Sequence, residues 1–137
     1  MTPDPKPAPR IRNPVALARA RLLWDECAAC GAPPANGHHV LPKGSPWFGD
    51  DVEANIVMVC GTGTFRCHGA LHGNPYVAHS GQRWTQNEVR AAVGAFILAH
   101  RDDTVEYVLT KLGWTAGRQY LRTHYFALLP DDYANPA

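Results

Sequence analysis

The sequence predicts an α+β fold: a strand, a loop, a second strand and a short helix form a metal-stapled core, with one helix before it and a helical annex behind. Three observations lead there. Cys27, Cys30, Cys60 and Cys67 stand in pairs around the segment. Ile56-Val57-Met58-Val59 is an apolar run of strand length. Thr85-Gln86-Asn87-Glu88 is a capping box that opens a stretch of helical periodicity. At 137 residues the chain is one domain, large enough for a modest core and small enough for a structural metal to help hold it.

Taken in order, residues 1–13 are rich in proline and in the basic residues Lys6, Arg10 and Arg12, and read as a flexible arm. Pro14 then opens a short amphipathic helix reaching about Trp24, with Val15, Leu17, Ala18, Leu22 and Leu23 as its apolar positions. Residues 27–36 make a cysteine knuckle and turn, and His38 to Leu41 a strand. Pro42 to Ala54, with its glycines, prolines and acids, is a loop, and Ile56 to Val59 the returning strand. Past Cys67 a short helix places His68 and His72 on one face, because residues four apart are helical neighbours. The core thus spans 14–84, and 85–137 is its helical extension. That extension holds one helix with the stripe Val89, Val93, Phe96 and Ile97, a second from about Asp103 to Gly113, and a third over 116–125. It is expected to support the core or a partner surface without supplying catalytic groups.

Composition excludes several classes. No apolar stretch approaches the roughly 20 residues of a membrane span, and the N-terminus lacks a secretory pattern. The expected location is therefore cytoplasmic, where paired cysteines are metal ligands sooner than disulfides. A formal charge of +1 is no basic footprint for nucleic acid, so local positive patches would have to attract phosphate. Lys43 and Arg66 flank the motif residues and are the candidates for that contact. Trp47, Phe48, Trp84 and Trp114 read as packing anchors that could also stack on bases, and His79, His100 and His124 as structural residues.

The window 27–72 holds four cysteines and four histidines, which suits two metal sites rather than one. Thiolates are soft ligands for a closed tetrahedral Zn²⁺; imidazoles with open positions suit an ion that must admit water and phosphate. Each histidine alone has an ordinary structural reading, but the ordered set Cys-x2-Cys, His38-His39, Asn55, Cys60, Cys67-His68-x3-His72 is specific.

Over residues 27–74 this order resembles the HNH, or ββα-metal, endonucleases, and in particular the small phage-encoded type with a four-cysteine zinc site. The resemblance implies a zinc-stapled ββα-metal core that hydrolyses DNA phosphodiester bonds by a one-metal mechanism, leaving a 5′-phosphate. It implies structural Zn²⁺ on Cys27, Cys30, Cys60 and Cys67. It implies a catalytic divalent ion (Mg²⁺, Mn²⁺, Ni²⁺ or Zn²⁺) on His38, His68 and His72, with His39 as general base. Asn55 would fix the loop and orient His39, or ligate the ion directly. DNA is the implied partner, with a phage terminase beside it and the host cytoplasm as setting. The chain departs from the pattern in the six residues between Cys60 and Cys67, longer than the usual two. On an ideal strand, moreover, His38 and His39 point to opposite faces, so they can share a site only at a strand end or twist. The competing readings are a zinc-stapled DNA-binding module with an unused nuclease site, and an adaptor acting through the C-terminal helices.

Overall fold

A computed structural model describes residues 10–34, 36–63, 65–79, 81–130 and 133. Helix α1 runs over Pro14–Leu23, with Pro14 in its first turn and the Asn13 side chain accepting from the Val15 amide at 3.1 Å. The face it buries is made of Ala16 and Ala20, packed on Ile56 and Met58, while Leu22 and Leu23 are exposed. Close approach explains the choice of small residues. A Cβ on Gly37 would lie 2.7 Å from Leu17 and 2.9 Å from Ile56, so the helix rests almost directly on the strand pair.

That strand pair is β1 (Asn36–His39) and β2 (Ile56–Val59), antiparallel, with Asn36 opposite Val59 and His39 opposite Ile56. All of β2 is buried because it is covered on both sides: Ile56 and Met58 face α1, while Val57 and Val59 enter the main core. Period-two alternation makes this possible with an uninterrupted apolar run. Helix α2 (Arg66–Leu71) follows. Next comes a hairpin that the sequence reading did not anticipate, β3 (Tyr76–His79) and β4 (Gln82–Thr85), turning at Gly81 with φ 74°.

Thr85 both ends β4 and caps helix α3 (Gln86–His100), its side chain accepting from Glu88 and the Glu88 carboxylate accepting from the Thr85 amide. Helix α4 (Asp102–Leu112) ends at Gly113, whose φ of 90° favours glycine, and α5 (Trp114–Tyr125) begins there. The chain is therefore α+β, with five helices and two small antiparallel sheets among the described residues. None of those helices is long and apolar enough to cross a membrane.

Arg101 fastens the helical part to the core, and a close crossing holds its helices together. Arg101, buried, donates to the Ile56 carbonyl and the Glu53 carbonyl, both at 2.8 Å, and pairs with Asp103. Where α3 meets the end of α5, a Cβ on Gly94 would stand 1.9 Å from the Tyr125 carbonyl oxygen; only glycine admits that crossing.

The expected flexible arm lies outside the described residues as far as position 9, and positions 10–13 are tied down instead. Arg10 donates to the Gly49 carbonyl at 2.7 Å and pairs with Asp51. The Ile11 amide reaches Asp50 at 2.7 Å and the Asn13 amide reaches Asp51 at 3.0 Å. The Asp51 amide returns a bond to the Ile11 carbonyl at 2.8 Å.

Candidate metal centres

The turn after α1 supplies Cys27 and Cys30, the end of β2 supplies Cys60, and the first turn of α2 supplies Cys67. Backbone bonds hold these pieces in register: the Ala28 amide on the Met58 carbonyl at 2.8 Å, and the His68 amide on the Cys60 carbonyl at 3.0 Å. The long spacer folds back on itself, with Gly61 at φ 83° and a bridge between Thr62 and Phe65, so six residues close the same gap that two usually do. None of the four is in a disulfide, and their sulfurs lie within 4.8 Å of one another, Cys30 and Cys60 at 3.6 Å. Tetrahedral zinc with bonds of about 2.3 Å needs sulfurs about 3.8 Å apart, so the donor set fits.

Of the four thiols, Cys27 is the one set toward the thiolate. The Cys67 thiol bonds to the Cys27 sulfur and, against the opposing effect of burial, holds Cys27 down to about 4, with the amides of Cys30, Cys60 and Ala29 helping. Cys67 is raised in turn by that same bond, and burial raises Cys30 to about 11. The four cysteines can hold a structural metal ion such as zinc.

The second cluster is His38, His68 and His72, each offering a ring nitrogen within 4.8 Å of the others. His38 comes from the end of β1, and His68 and His72 stand one turn apart on α2 and its C-terminal cap. His68 Nε2 and His72 Nε2 are 2.9 Å apart, and His38 meets both rings edge-on with centroids at 5.4 Å. Burial, then repulsion from His68, His72 and His39, lowers the His38 pKa well below the ordinary imidazole range. Burial, then His72, lowers His68 to about 4. Neutral imidazoles present lone pairs.

One of those rings has a fixed hydrogen-bond partner. Tyr125 Oη stands 3.0 Å from His38 Nε2 and 3.4 Å from the Val40 carbonyl oxygen; in the tautomer with Nε2–H donating to the tyrosine, Nδ1 carries the lone pair. That Nδ1 is buried with no hydrogen-bond partner, as is His68 Nδ1. A buried imidazole whose second nitrogen is fixed by a hydrogen bond is the usual setting of a metal ligand, so the donors fit a divalent ion.

His39 belongs to the same place but to a different network. His38 and His39 both line a cavity of about 510 Å³ with Lys43, His68 and His72, which the end of β1 and the bend at Val40 allow despite strand alternation. His39 Nε2 lies 2.7 Å from Asp51 Oδ1, and Asp51 is itself held by Arg10 and the Asn13 amide. With Nε2–H donating to the carboxylate, His39 Nδ1 is its basic nitrogen. Burial lowers the His39 pKa, and the Asp51 bond opposes this only in part.

Asn55, fully buried, acts elsewhere than at His39. Its Oδ1 accepts from the Leu41 amide at 2.8 Å, and its Nδ2 donates to the Leu41 and Asp50 carbonyls, both at 3.1 Å. The whole amide is spent clamping the loop, which does not fit direct ligation. Asp51, at the end of that loop, holds His39 in its stead. Lys43 lines the histidine cavity, exposed, whereas Arg66 does not: it starts α2 at φ 57°, half-buried, away from the cavity wall. Tyr125 and Asp51 were not foreseen as site residues. Tyr125 lies 87 positions from His38 with no local signal, while the Asp50-Asp51 pair in a loop after His-His could have pointed to a carboxylate partner.

Comparison with models of known families, with curated proteins and with solved structures finds no match to this chain.

Proposed function

We propose that the chain is a divalent-metal-dependent endonuclease of the HNH type, built on a zinc-stapled ββα-metal core formed by β1, β2 and α2, that hydrolyses phosphodiester bonds in DNA. What supports the reading is one observation above the others: three imidazoles converge beside a fourth histidine that a carboxylate holds separately, all at one cavity with a lysine on its rim. A binding module has no use for that division of labour.

In this reading His38, His68 and His72 hold the catalytic ion and Cys27, Cys30, Cys60 and Cys67 the zinc. A bound divalent ion supplies positive charge to the phosphate and leaving oxygen. His39 Nδ1 takes the proton from the attacking water, and Asp51 keeps the imidazole in the tautomer and orientation for it and stabilises the imidazolium that results. Tyr125 fixes the His38 ring. Lys43 draws the phosphate to the cavity mouth. Asn55 holds the loop that carries Asp51.

The test is cleavage of supercoiled plasmid by the zinc-loaded protein with Mg²⁺, Mn²⁺, Ni²⁺ or added Zn²⁺. Conversion to nicked or linear DNA with at least one ion, abolished by His39→Ala, is expected. Intact plasmid under every ion would refute the reading.

A further inference from the structure

The histidine cavity does not end at His38 and His39. Those two residues, with Pro42 and Leu71, also wall a second cavity of about 200 Å³ whose far side is Arg90 of α3 together with Trp47 and His124. Trp47, Tyr120 and His124 in turn are shared with a third, open cavity of about 470 Å³ between the 42–48 loop and α5. Through these shared walls the three cavities adjoin in series, Lys43 lining the first, Arg90 the second, and Trp47 with His124 both the second and the third.

Among the described residues Arg90 and Arg66 are both half-buried cations without a hydrogen bond or ion pair, but of the two only Arg90 lines a cavity with His38 and His39, and the other cations of the core are paired. Arg10 is paired with Asp51, Lys111 with Asp50, and Arg101 with Asp103 and two carbonyls. Among the described residues Arg90 makes no hydrogen bond or ion pair, although it is half-buried and close enough to Tyr120, His124 and Tyr125 for its charge to act on all three. Its position is set by the fold. Arg90 is one turn before Gly94 on the same face of α3, and Gly94 is where α5 crosses. The guanidinium is thereby delivered from the helical annex to the edge of the histidine site. A partly desolvated guanidinium without an anion loses hydration that a phosphate would restore through two parallel bonds. The aromatic wall is where a base could lodge: Trp47 and His124, both half-buried, line the second and third cavities, with ring centroids 5.9 Å apart and planes at 86°, and both pack on Tyr120, Trp47 at 5.5 Å and His124 at 4.3 Å.

We infer that Arg90, Trp47 and His124 form a nucleotide subsite: Arg90 binds the phosphate neighbouring the one held over the histidines, and the aromatic pair receives that nucleotide's base from a single or locally unpaired strand. The inference rests on the nuclease reading and adds to it both a direction along these cavities and a strand preference. It also gives the annex a part in substrate binding that periodicity alone did not show.

The experiment uses zinc-loaded protein carrying His39→Ala, so that nothing is cut, and a fluorescein-labelled single-stranded DNA oligonucleotide followed by anisotropy over a range of salt concentrations. Adding Arg90→Ala should weaken binding about tenfold at low salt. It should also make the slope of log Kd against log salt shallower by about 0.7, the loss of one phosphate contact on a single strand. Arg90→Lys should keep the slope, because the charge remains. In otherwise unmodified protein, Arg90→Ala should raise KM for DNA while hydrolysis of bis(4-nitrophenyl) phosphate, which has one phosphate, is unchanged. Slope and KM both unmoved, in a protein that cuts plasmid, would overturn the subsite and leave the nuclease reading standing. Binding that depends on Arg90, in a protein that cuts nothing, would overturn the nuclease reading and keep the subsite. No binding by the parent would overturn both.

Discussion

Replacing Asn55 with alanine removes three hydrogen bonds from a fully buried position and leaves the Leu41 amide, also buried, without its acceptor. At about 1 kcal/mol per bond plus about 1–3 kcal/mol for the orphaned group, the loss comes to about 4–6 kcal/mol. For a domain of this size that is a fall in Tm of about 10–20 °C. Asn55→Asp keeps the acceptor but turns a negative oxygen toward two carbonyls, so it should be no milder. Urea denaturation of the zinc-loaded protein, followed by circular dichroism, measures both. Because the amide is spent on the loop, the folded Asn55→Ala protein should still bind a divalent ion at its histidines with near-normal affinity. A stability loss under about 1 kcal/mol, or loss of the ion with stability intact, would refute the clamp and return Asn55 to the role of ligand.

Cys30→Ser should lower zinc content and stability together, because metal binding to such a site is folding energy; elemental analysis beside a melting curve checks it, and a fully stable, zinc-free Cys30→Ser protein would contradict it. Asp51→Asn should lower kcat on the order of 10-fold to 100-fold with KM little changed, and Asp51→Glu should recover part of it; steady-state plasmid cleavage reads the difference. Acid sensitivity follows from Asp50. Burial alone would raise its pKa, but the Ile11 amide, Lys111 and Tyr107 outweigh this and hold it below the ordinary carboxylate value. The unfolded chain then binds more protons than the folded one, so this stabilisation is complete above about pH 4 and lost as pH falls below it. Asp50→Asn should be less stable at pH 7 and show a flatter decline between pH 5 and about 2 by denaturant titration.

The cysteine and histidine clusters were legible as ordered spacings, since residues in turns and at helix spacing converge once the two strands pair, and Ile56–Val59 reads as a strand from its short apolar run. The capping box at Thr85 likewise acts within four residues. The β3–β4 hairpin was hidden because Gln82–Thr85 is largely exposed and lacks apolar alternation. On α1 the expected apolar position Leu17 packs over Gly37, but Leu22 and Leu23 are exposed and the fully buried positions are Ala16 and Ala20, whose small side chains give no strong apolar signal. The hydroxyl of Tyr125 on His38 depends on a helix crossing at Gly94 that no local pattern encodes. The order of residues 10–13 depends on carboxylates some 40 positions away.

The division of the histidine pair into ligand and base is tested most directly by titrating Mn²⁺ calorimetrically into zinc-loaded His38→Ala and His39→Ala and measuring plasmid cleavage by each. His39→Ala should bind the ion as the parent does and cleave at least 100-fold more slowly, since the proton acceptor is gone. His38→Ala should bind it at least tenfold more weakly and regain part of its rate at high Mn²⁺. Normal cleavage by His39→Ala, or equal loss of ion affinity in both variants, would contradict the assignment of His39 as the base beside a three-histidine metal site.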